Sequence, residues 1–425
     1  MTSEKADRAF VWSWLPGATT PVVTGQLTEI GDLIVFNYGR SYRERADAIP
    51  LYLPELPLHE GRIGPLGNLT MPGVIDDAGP DAWGQRVVMR NVIGASADQT
   101  DPARLGRLTY LLESGSDRIG ALDFQASAEA YEPRSGSAAS LEELSQAAER
   151  VERGVELSPD LDQALLHGSS VGGARPKALI DDGDRKLIAK FSSTTDTFPI
   201  VKGEFIAMEL ARRAGLSVAP VEYREVLGRD VLLVERFDRD PSSDGISRKS
   251  IVSALTILEL DAEREGRYAT YYDLAQIIRD RFTDARATLH ELFSRITFNI
   301  LVGNIDDHAR NHAAFWDGSR LALTPAYDIC PQPRSGRTAN QIMAFAPGER
   351  TSRLESAVMA AAIYLLTEAQ AREIVDHQIE TIRDRWNEIC DLTSLSPEGK
   401  RFFEGRQFLN PYAFEGYSSP SPWAK

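Results

Sequence analysis

Asp306 and Asn311 lie five positions apart in Asn299-Ile-Leu-Val-Gly-Asn-Ile-Asp-Asp-His-Ala-Arg-Asn-His312, and a further carboxylate, Asp328, follows seventeen residues later in Leu323-Thr-Pro-Ala-Tyr-Asp-Ile. A carboxylate that accepts or orients a hydroxyl proton, with an amide and a second carboxylate able to hold a metal ion on phosphates, is the set that phosphoryl transfer needs. Asp and Asn after an apolar helix also make turns and caps, so the spacing leaves both readings open. His308 and His312, four apart, could share a helical face as zinc ligands, but Ala309 stands where an H-E-x-x-H site carries its Glu. Of the two adjacent acids, Asp306 is the expected catalytic group, because it follows the helix break at Gly303. Replacing Asp307 is expected to cost much less.

A glycine-rich stretch, His167-Gly-Ser-Ser-Val-Gly-Gly-Ala-Arg-Pro-Lys177, heads two short strands that flank an Asp-Gly turn, the pattern of a hairpin. Glycines let backbone N–H groups approach phosphate oxygens, although the sequence is neither a Walker A loop nor G-x-G-x-x-G, and a plain tight turn fits it as well. Lys190, in the apolar strand Leu187-Ile-Ala-Lys-Phe, stands either as a phosphate-pairing lysine or as an outward-facing one. A helix over about Gly203 to Ala214 offers Glu204 as a partner for that lysine, or as part of a solvated face. The buried-strand run Asp230-Val-Leu-Leu-Val-Glu-Arg-Phe-Asp-Arg239 ends in polar residues that could present backbone groups to an adenine ring.

The elements that must position these residues are short strands, then helices. Strands are expected over Ala9–Trp14, Leu33–Tyr38 and Ile49–Leu53, and Pro80 in the first turn of a helix. Further helices are expected over Leu141–Arg153 with Ser140 as N-cap, Pro159–Leu166, Ile251–Glu259, Tyr271–Asp280, Ala285–Val302, Arg353–Leu366 and Glu368–Asn387. Ala126–Ser140 has the composition of a linker, and the tail from Ser394 that of an extended packed segment. The 425 residues, 42% hydrophobic and 26% charged, describe a globular chain of two or three lobes. A net charge of −15 argues against a protein whose main task is gripping nucleic acid. Two cysteines, no signal-peptide pattern at the N-terminus and no apolar run of membrane-spanning length lead to an expectation of a cytoplasmic protein with no membrane partner.

Gly168-Ser-Ser-Val-Gly-Gly-Ala-Arg-Pro-Lys-Ala, Val234-Glu-Arg-Phe-Asp-Arg, Gly303-Asn-Ile-Asp-Asp-His-Ala-Arg-Asn and Ala326-Tyr-Asp-Ile together resemble, in order, the phosphate-loop, hinge, catalytic and metal motifs of HipA-type serine/threonine kinases, the toxins of bacterial type II toxin–antitoxin modules. The resemblance covers about Ser140 to Asn387, with a looser likeness of the N-terminal strands to the family's N-terminal subdomain. It implies an α+β, two-lobed protein-kinase-like fold: a β-rich N-terminal subdomain over 1–135, a kinase N-lobe over 136–240 and a helical C-lobe over 241–425. It implies ATP and Mg²⁺ as cofactors. Gly172, Gly173, Ala174, Arg175, Pro176, Lys177 and Lys190 would meet the phosphates, Glu235, Arg236 and Phe237 would form the adenine-side hinge, and His308 would lie by the phosphates. Asp306 would be the catalytic base, and Asn311 with Asp328 would hold the metal. Ser170, with Ser169 beside it, aligns with the serine the family autophosphorylates. Arg175-Pro176 departs from the Gln-Glu often found before the loop lysine, and proline stiffens that loop. The implied partners are a protein substrate such as an aminoacyl-tRNA synthetase and a small helix-turn-helix antitoxin, with DNA reached only through the latter. A second class of function is a kinase-fold binding module serving as a co-repressor; the complete set Lys190, Asp306, Asn311 and Asp328 favours the enzyme.

Overall fold

The computed structural model describes residues 6–94, 101, 105–134, 139–262, 264–334, 336–418 and 423. The chain divides into two compact units, the first made of residues 1–195, 225–252 and 315–319, the second of 196–224, 253–314 and 320–425. The expected boundary at 135/136 lies at the edge of, and beyond, the described residues.

The first unit carries an antiparallel sheet in the order Leu33–Tyr38, Val22–Ile30, Arg8–Ser13, Leu122–Gln125. Two of its strands match the expectation. The third expected strand, Ile49–Leu53, forms only an isolated bridge between Tyr52 and Leu56, because Pro50 and Pro54 have no N–H to give a ladder. Val22–Ile30 is not among the expected strands, because Gly25 interrupts its β pattern. Gly25 is needed there, since a Cβ would collide with Asn37 O across the sheet.

A second antiparallel set is Lys177–Asp182, Arg185–Phe191 and Arg229–Glu235. The first two form the expected hairpin, turning at Gly183 with φ 61°. The period of two along Arg185–Phe191 sends Leu187, Ala189 and Phe191 into a core with Leu144, Ala147, Ala148 and Val151 of the helix Leu141–Glu152, Leu165 of the helix Pro159–His167, and Trp83 and Val87 of the helix Ala82–Ile93. Ser140 caps the first of these helices in a capping box with Glu143. Pro80 sits one residue before the N-cap Asp81, outside the helical turn expected to hold it. Of the expected linker, residues 135–138 lie outside the described residues. The rest is tied down: the Tyr131 hydroxyl donates to Asp123 at 3.0 Å and Arg134 donates to Asp123 at 2.8 Å.

Buried arginines fasten the two sheets of this unit together. Arg118, 0% exposed, pairs with Asp123 at 2.8 Å, and Arg236 and Arg239 pair with Asp117 and Asp238 at 2.7–3.1 Å. Arg236 and Arg239 also donate to the backbone oxygen of Arg118, and Gly120 N–H donates to Asp238 at 2.7 Å. Burial alone would raise the Asp117, Asp123 and Asp238 carboxyls, but the adjoining guanidinium groups outweigh it and hold all three below the usual range.

The second unit is mainly helical. Ala285–Val302, capped by Asp284, is buried along most of its surface, and its Thr297 hydroxyl donates to Gln378 of the helix Glu368–Leu392 at 2.9 Å. The expected helix Ile251–Glu259 is instead a strand, Ser250–Ser253, and a single turn, Ala254–Ile257: β-branched Ile251 and Val252 favour extension and the Ser253 hydroxyl caps the turn from Thr256 N at 3.2 Å. Arg353–Leu366 is likewise broken, into Leu354–Met359 and a 3-10 turn, Ala361–Tyr364. The tail holds a helix, Pro397–Phe403, and buries Phe403, Phe408 and Leu409, so it is more ordered than an extended segment. Among the described residues no helix is long and apolar enough to cross a membrane.

Candidate active site

In the first unit the register sets Lys177 directly opposite Lys190, so both side chains leave the same face of the sheet; Leu179, Ile188 and Val234 come next along that face. Like charges so placed repel, and a phosphate between them offsets the repulsion, while the apolar strip beyond suits the flat face of a base. The Lys177 ammonium donates to Gly172 O. Gly172, Gly173 and Ala174 are exposed, and among the described residues their N–H groups make no other hydrogen bond. Gly173 has φ 111°, where side chains are strained, and a Cβ there would strike the Lys177 ammonium. Arg175 is half-buried, and buried Pro176 accepts from Phe191 N at 3.0 Å.

The loop rests on the helix Ala82–Ile93. Trp83 Nε1 donates to Lys177 O at 3.1 Å, and Gly84 approaches so closely that a Cβ would collide with Ser169 O. Ser169 Oγ donates to Leu166 O at 2.6 Å and accepts from Gly115 N at 3.2 Å. Ser170 is 0% exposed and its hydroxyl has no hydrogen-bond partner among the described residues. At the hinge positions, Arg236 has its N–H on Lys186 O at 2.8 Å and its guanidinium in the buried ion cluster, while Phe237 packs edge-on against Phe315 at 5.9 Å. Arg236 therefore offers neither its N–H nor its guanidinium to a ligand, and Glu235 is half-buried.

In the second unit the helix Ala285–Val302 stops at Gly303, φ 72°, where a Cβ would also lie 2.9 Å from Gln407 O. The next residues diverge by burial. Asp307 is 3% exposed and accepts from Asn299 Nδ2 at 2.8 Å, from His312 Nε2 at 2.7 Å and from the Tyr271 hydroxyl, while Asn304 donates to Asn299 at 3.1 Å. Burial would raise its carboxyl, but His312 and the Tyr271 hydrogen bond pull it below the usual range. Asp306 faces outward, and partial burial, with Asp328 and Asp307 as like charges, raises its carboxyl against the opposing pull of His308. His308 is half-buried beside it. Asn311, in the 3-10 turn Ala309–Asn311, donates its N–H to His308 O at 2.8 Å, and its side-chain amide makes no hydrogen bond among the described residues.

Asp328 has φ 60°, a conformation uncommon for a residue with a side chain and concentrated at functional sites. Neighbouring bonds hold it there. Ala326 N donates to Ser217 O at 2.7 Å, and the Tyr327 hydroxyl donates to Arg310 O at 2.7 Å, tying the Asp328 segment to the Asp306–Asn311 loop. The second unit thus brings Asp306, His308, Asn311 and Asp328 into one neighbourhood. Glu204 lies buried in its helix Ile200–Arg213, whereas Lys190 belongs to the first unit. His312 is committed to Asp307, and among the described residues no three His, Cys, Asp or Glu side chains form a metal cluster, so the zinc reading finds no ligand set. Asn311 and Asp328 carry side-chain oxygens, the donor type that would suit a hard cation such as Mg²⁺.

Sequence reasoning missed the residues that hold the loops. Tyr271, Asn299 and His312 carry no motif of their own. Gly84, just inside a helix, was the available signal, since an isolated glycine there commonly marks close packing.

Residues 169–386 match the family described as the HipA-like C-terminal domain, and residues 19–125 match the HipA N-terminal domain. Three curated relatives are similar to parts of the chain. Y4mE of Sinorhizobium fredii is 33% identical over 147 residues, 33% of each chain. The serine/threonine-protein kinase toxin HipA of Shewanella oneidensis is 29% identical over 185 residues, 38% of this chain and 42% of that one. Toxin YjjJ of Escherichia coli is 25% identical over 202 residues, 44% and 43%. The aligned stretches span less than half the length of each of these relatives. Among solved structures, HipA in the Shewanella oneidensis complex of HipA, HipB and operator DNA aligns over 95% of this chain and 97% of its own, with a TM-score of 0.66 at 17% identity. That likeness gives the fold, a two-lobed, protein-kinase-like α+β architecture, and with the family match over more than half the sequence the chain belongs to the HipA-type family of kinase toxins.

Proposed function

We propose that the chain is an ATP- and Mg²⁺-dependent protein serine/threonine kinase that acts as the toxin of a toxin–antitoxin module. The observation that carries this reading is the grouping of Asp306, Asn311 and Asp328 in one unit, with Asp328 held at φ 60°. Asp306 is the one outward-facing acid of its loop, so it can accept or orient the proton of a substrate hydroxyl, and its raised carboxyl makes it a better base than an ordinary aspartate. Asn311 and Asp328 would hold the metal, which supplies charge neutralisation on the phosphates. Lys177, Lys190 and the N–H groups of the Gly172–Ala174 loop would contact nucleotide phosphates. Of the hinge residues, Glu235 and Phe237 are better placed than Arg236 to offer main-chain groups to adenine. Ser170 is the proposed site of self-phosphorylation, and its buried hydroxyl requires the loop to leave its seat on Gly84 first.

A small helix-turn-helix antitoxin is the proposed partner, supported by the complex that the Shewanella relative forms with HipB and operator DNA. A net charge of −15 directs any DNA contact through that partner. An aminoacyl-tRNA synthetase is the proposed protein substrate, as the resemblance to the family implies.

The test is transfer of labelled phosphate from ATP to the chain itself and to proteins of a bacterial extract. Mg²⁺ chelation should abolish transfer, and Asp306→Asn should cut it by roughly 10² or more, the scale of a positioned acid–base group. Transfer within a few-fold of the parent in Asp306→Asn would place the active site elsewhere.

A further inference from the structure

The first unit carries an open cavity of about 290 Å³ that shares no lining residue with the proposed nucleotide-binding set. Its wall joins the N-terminal sheet to the hairpin, with Trp14, Ser116 and Arg134 on one side and His167, Asp181 and Lys186 on the other. Four cations line it, Arg134, Lys186, Arg239 and Arg248, against two carboxylates, Asp117 and Asp181. In a chain of net charge −15 such a locally positive pocket is a departure that favours anions.

The four cations are not equally committed. Arg239 spends all its nitrogens on Asp117, Asp238 and backbone oxygens, Lys186 pairs with Asp181 at 2.6 Å, and Arg134 pairs with Asp123 at 2.8 Å. Arg248 alone of the four forms no ion pair among the described residues. Its Cζ lies 3.5 Å from the centroid of the Trp14 ring, and its one hydrogen bond among the described residues, from Nη1, goes to Ser116 O at 2.9 Å. The cation–π contact holds the guanidinium and leaves N–H donors unspent. Opposite, His167 Nδ1 is buried and has no hydrogen-bond partner among the described residues. Burial lowers the pKa of that imidazole more than Asp117 and Asp181 raise it, so at neutral pH it is an uncharged polar group that still lacks a partner.

We propose that this cavity is a second binding site, for a small organic oxyanion, with Arg248 as its planar anchor and Lys186, Arg134 and His167 as the groups that close on it. The shared chemistry is a carboxylate or phosphate oxygen pair, which a fixed guanidinium edge receives bidentately. The pocket admits a two- to six-carbon acid or its phosphate ester, on the ordinary size range of ligand pockets. Because the walls come from two sheets, an occupant fastens the N-terminal sheet to the hairpin that carries Lys190, and so acts on the same unit from a different place.

Calorimetric titration of the full chain at low ionic strength, with pyrophosphate in one arm and succinate in the other, tests this. One bound succinate per chain is expected, and the pyrophosphate isotherm should hold one event that is present in Lys190→Gln as well as in the parent. The affinity of that event should fall about tenfold or more in Arg248→Gln, the loss of a charge-assisted pair, and stay within about threefold in Lys190→Gln, which alters only the proposed nucleotide-phosphate set. The arm with the tighter binding tells phosphate from carboxylate. Should Arg248→Gln not fold, Lys186→Gln, whose side chain reaches solvent, carries the same comparison. Binding lost in Lys190→Gln and kept in Arg248→Gln would assign the anion to the nucleotide loop and overturn the proposal, as would an absence of binding of both probes to the folded parent at millimolar concentration.

Discussion

Asp307→Asn is expected to damage the protein through its fold, while Asp306→Asn damages it through its chemistry. The Asp307 carboxylate is 3% exposed and receives Asn299, His312 and Tyr271. All three donors meet one carboxylate oxygen, Oδ2, so an amide can keep them only by setting its oxygen there and its two N–H donors where Oδ1 lay, and it replaces a charged acceptor by a neutral one. Hydrogen bonds to a charged group contribute about 1.5–3 kcal/mol, so a loss of about 2–3 kcal/mol is expected. At roughly 2–4 °C per kcal/mol for a unit of this size, the melting temperature should drop by about 4 °C or more. Asp306 faces outward, and its replacement should move stability by less than about 1 kcal/mol. Thermal melts and urea titrations of both variants, run beside the phosphate-transfer assay, separate the two effects. The sequence-based expectation that replacing Asp307 costs much less than replacing Asp306 then applies to the chemistry and not to stability. A melting temperature for Asp307→Asn within about 2 °C of the parent would refute the accounting and the importance given to the buried network.

Two further outcomes follow from the first unit. Gly84→Ala should destabilise by about 1–3 kcal/mol, since its Cβ overlaps Ser169 O, and should make the 168–177 loop easier to cleave by protease; unchanged cleavage would show the loop does not depend on that contact. Asp117, Asp123 and Asp238 titrate below the usual carboxylate range, so their stabilisation is fully present above the unfolded value near 3.9 and is lost as pH falls through the lower folded values. The melting temperature should hold from about pH 7 to 5 and fall steeply below about pH 4, with a shallower fall in Asp123→Asn, and equal slopes in parent and variant would count against the cluster as the cause.

What the sequence disclosed and withheld follows from the range of the forces involved. Ala285–Val302 and the hairpin Lys177–Phe191 were legible because periodicity, caps and the Asp-Gly turn are local signals. Asp306, Asn311 and Asp328 could be grouped from the sequence because phosphoryl-transfer chemistry calls for given residue types at a given separation. Asp307 could not be told from Asp306 by type; only long-range packing around Tyr271 makes one structural and leaves the other facing outward. Val22–Ile30 and Ser250–Ser253 take their form from partners distant in the chain. The orphaned His167 and the unpaired Arg248 meet only in three dimensions.

The buried arginines Arg118, Arg236 and Arg239 bear on how such a protein can be cut. The two family segments, 19–125 and 169–386, match separately and invite dissection into an N-terminal module and a catalytic one. Yet Arg236 and Arg239 reach from beyond the second segment's strand into Asp117 and the Arg118 carbonyl of the first. Removing residues 1–125 would strand both guanidiniums without half their acceptors, in the low-dielectric place where lone charges are least tolerated. A truncated catalytic fragment would therefore carry its own defect at the scar, and inactivity in such a fragment would say nothing about whether the N-terminal sheet takes part in the reaction.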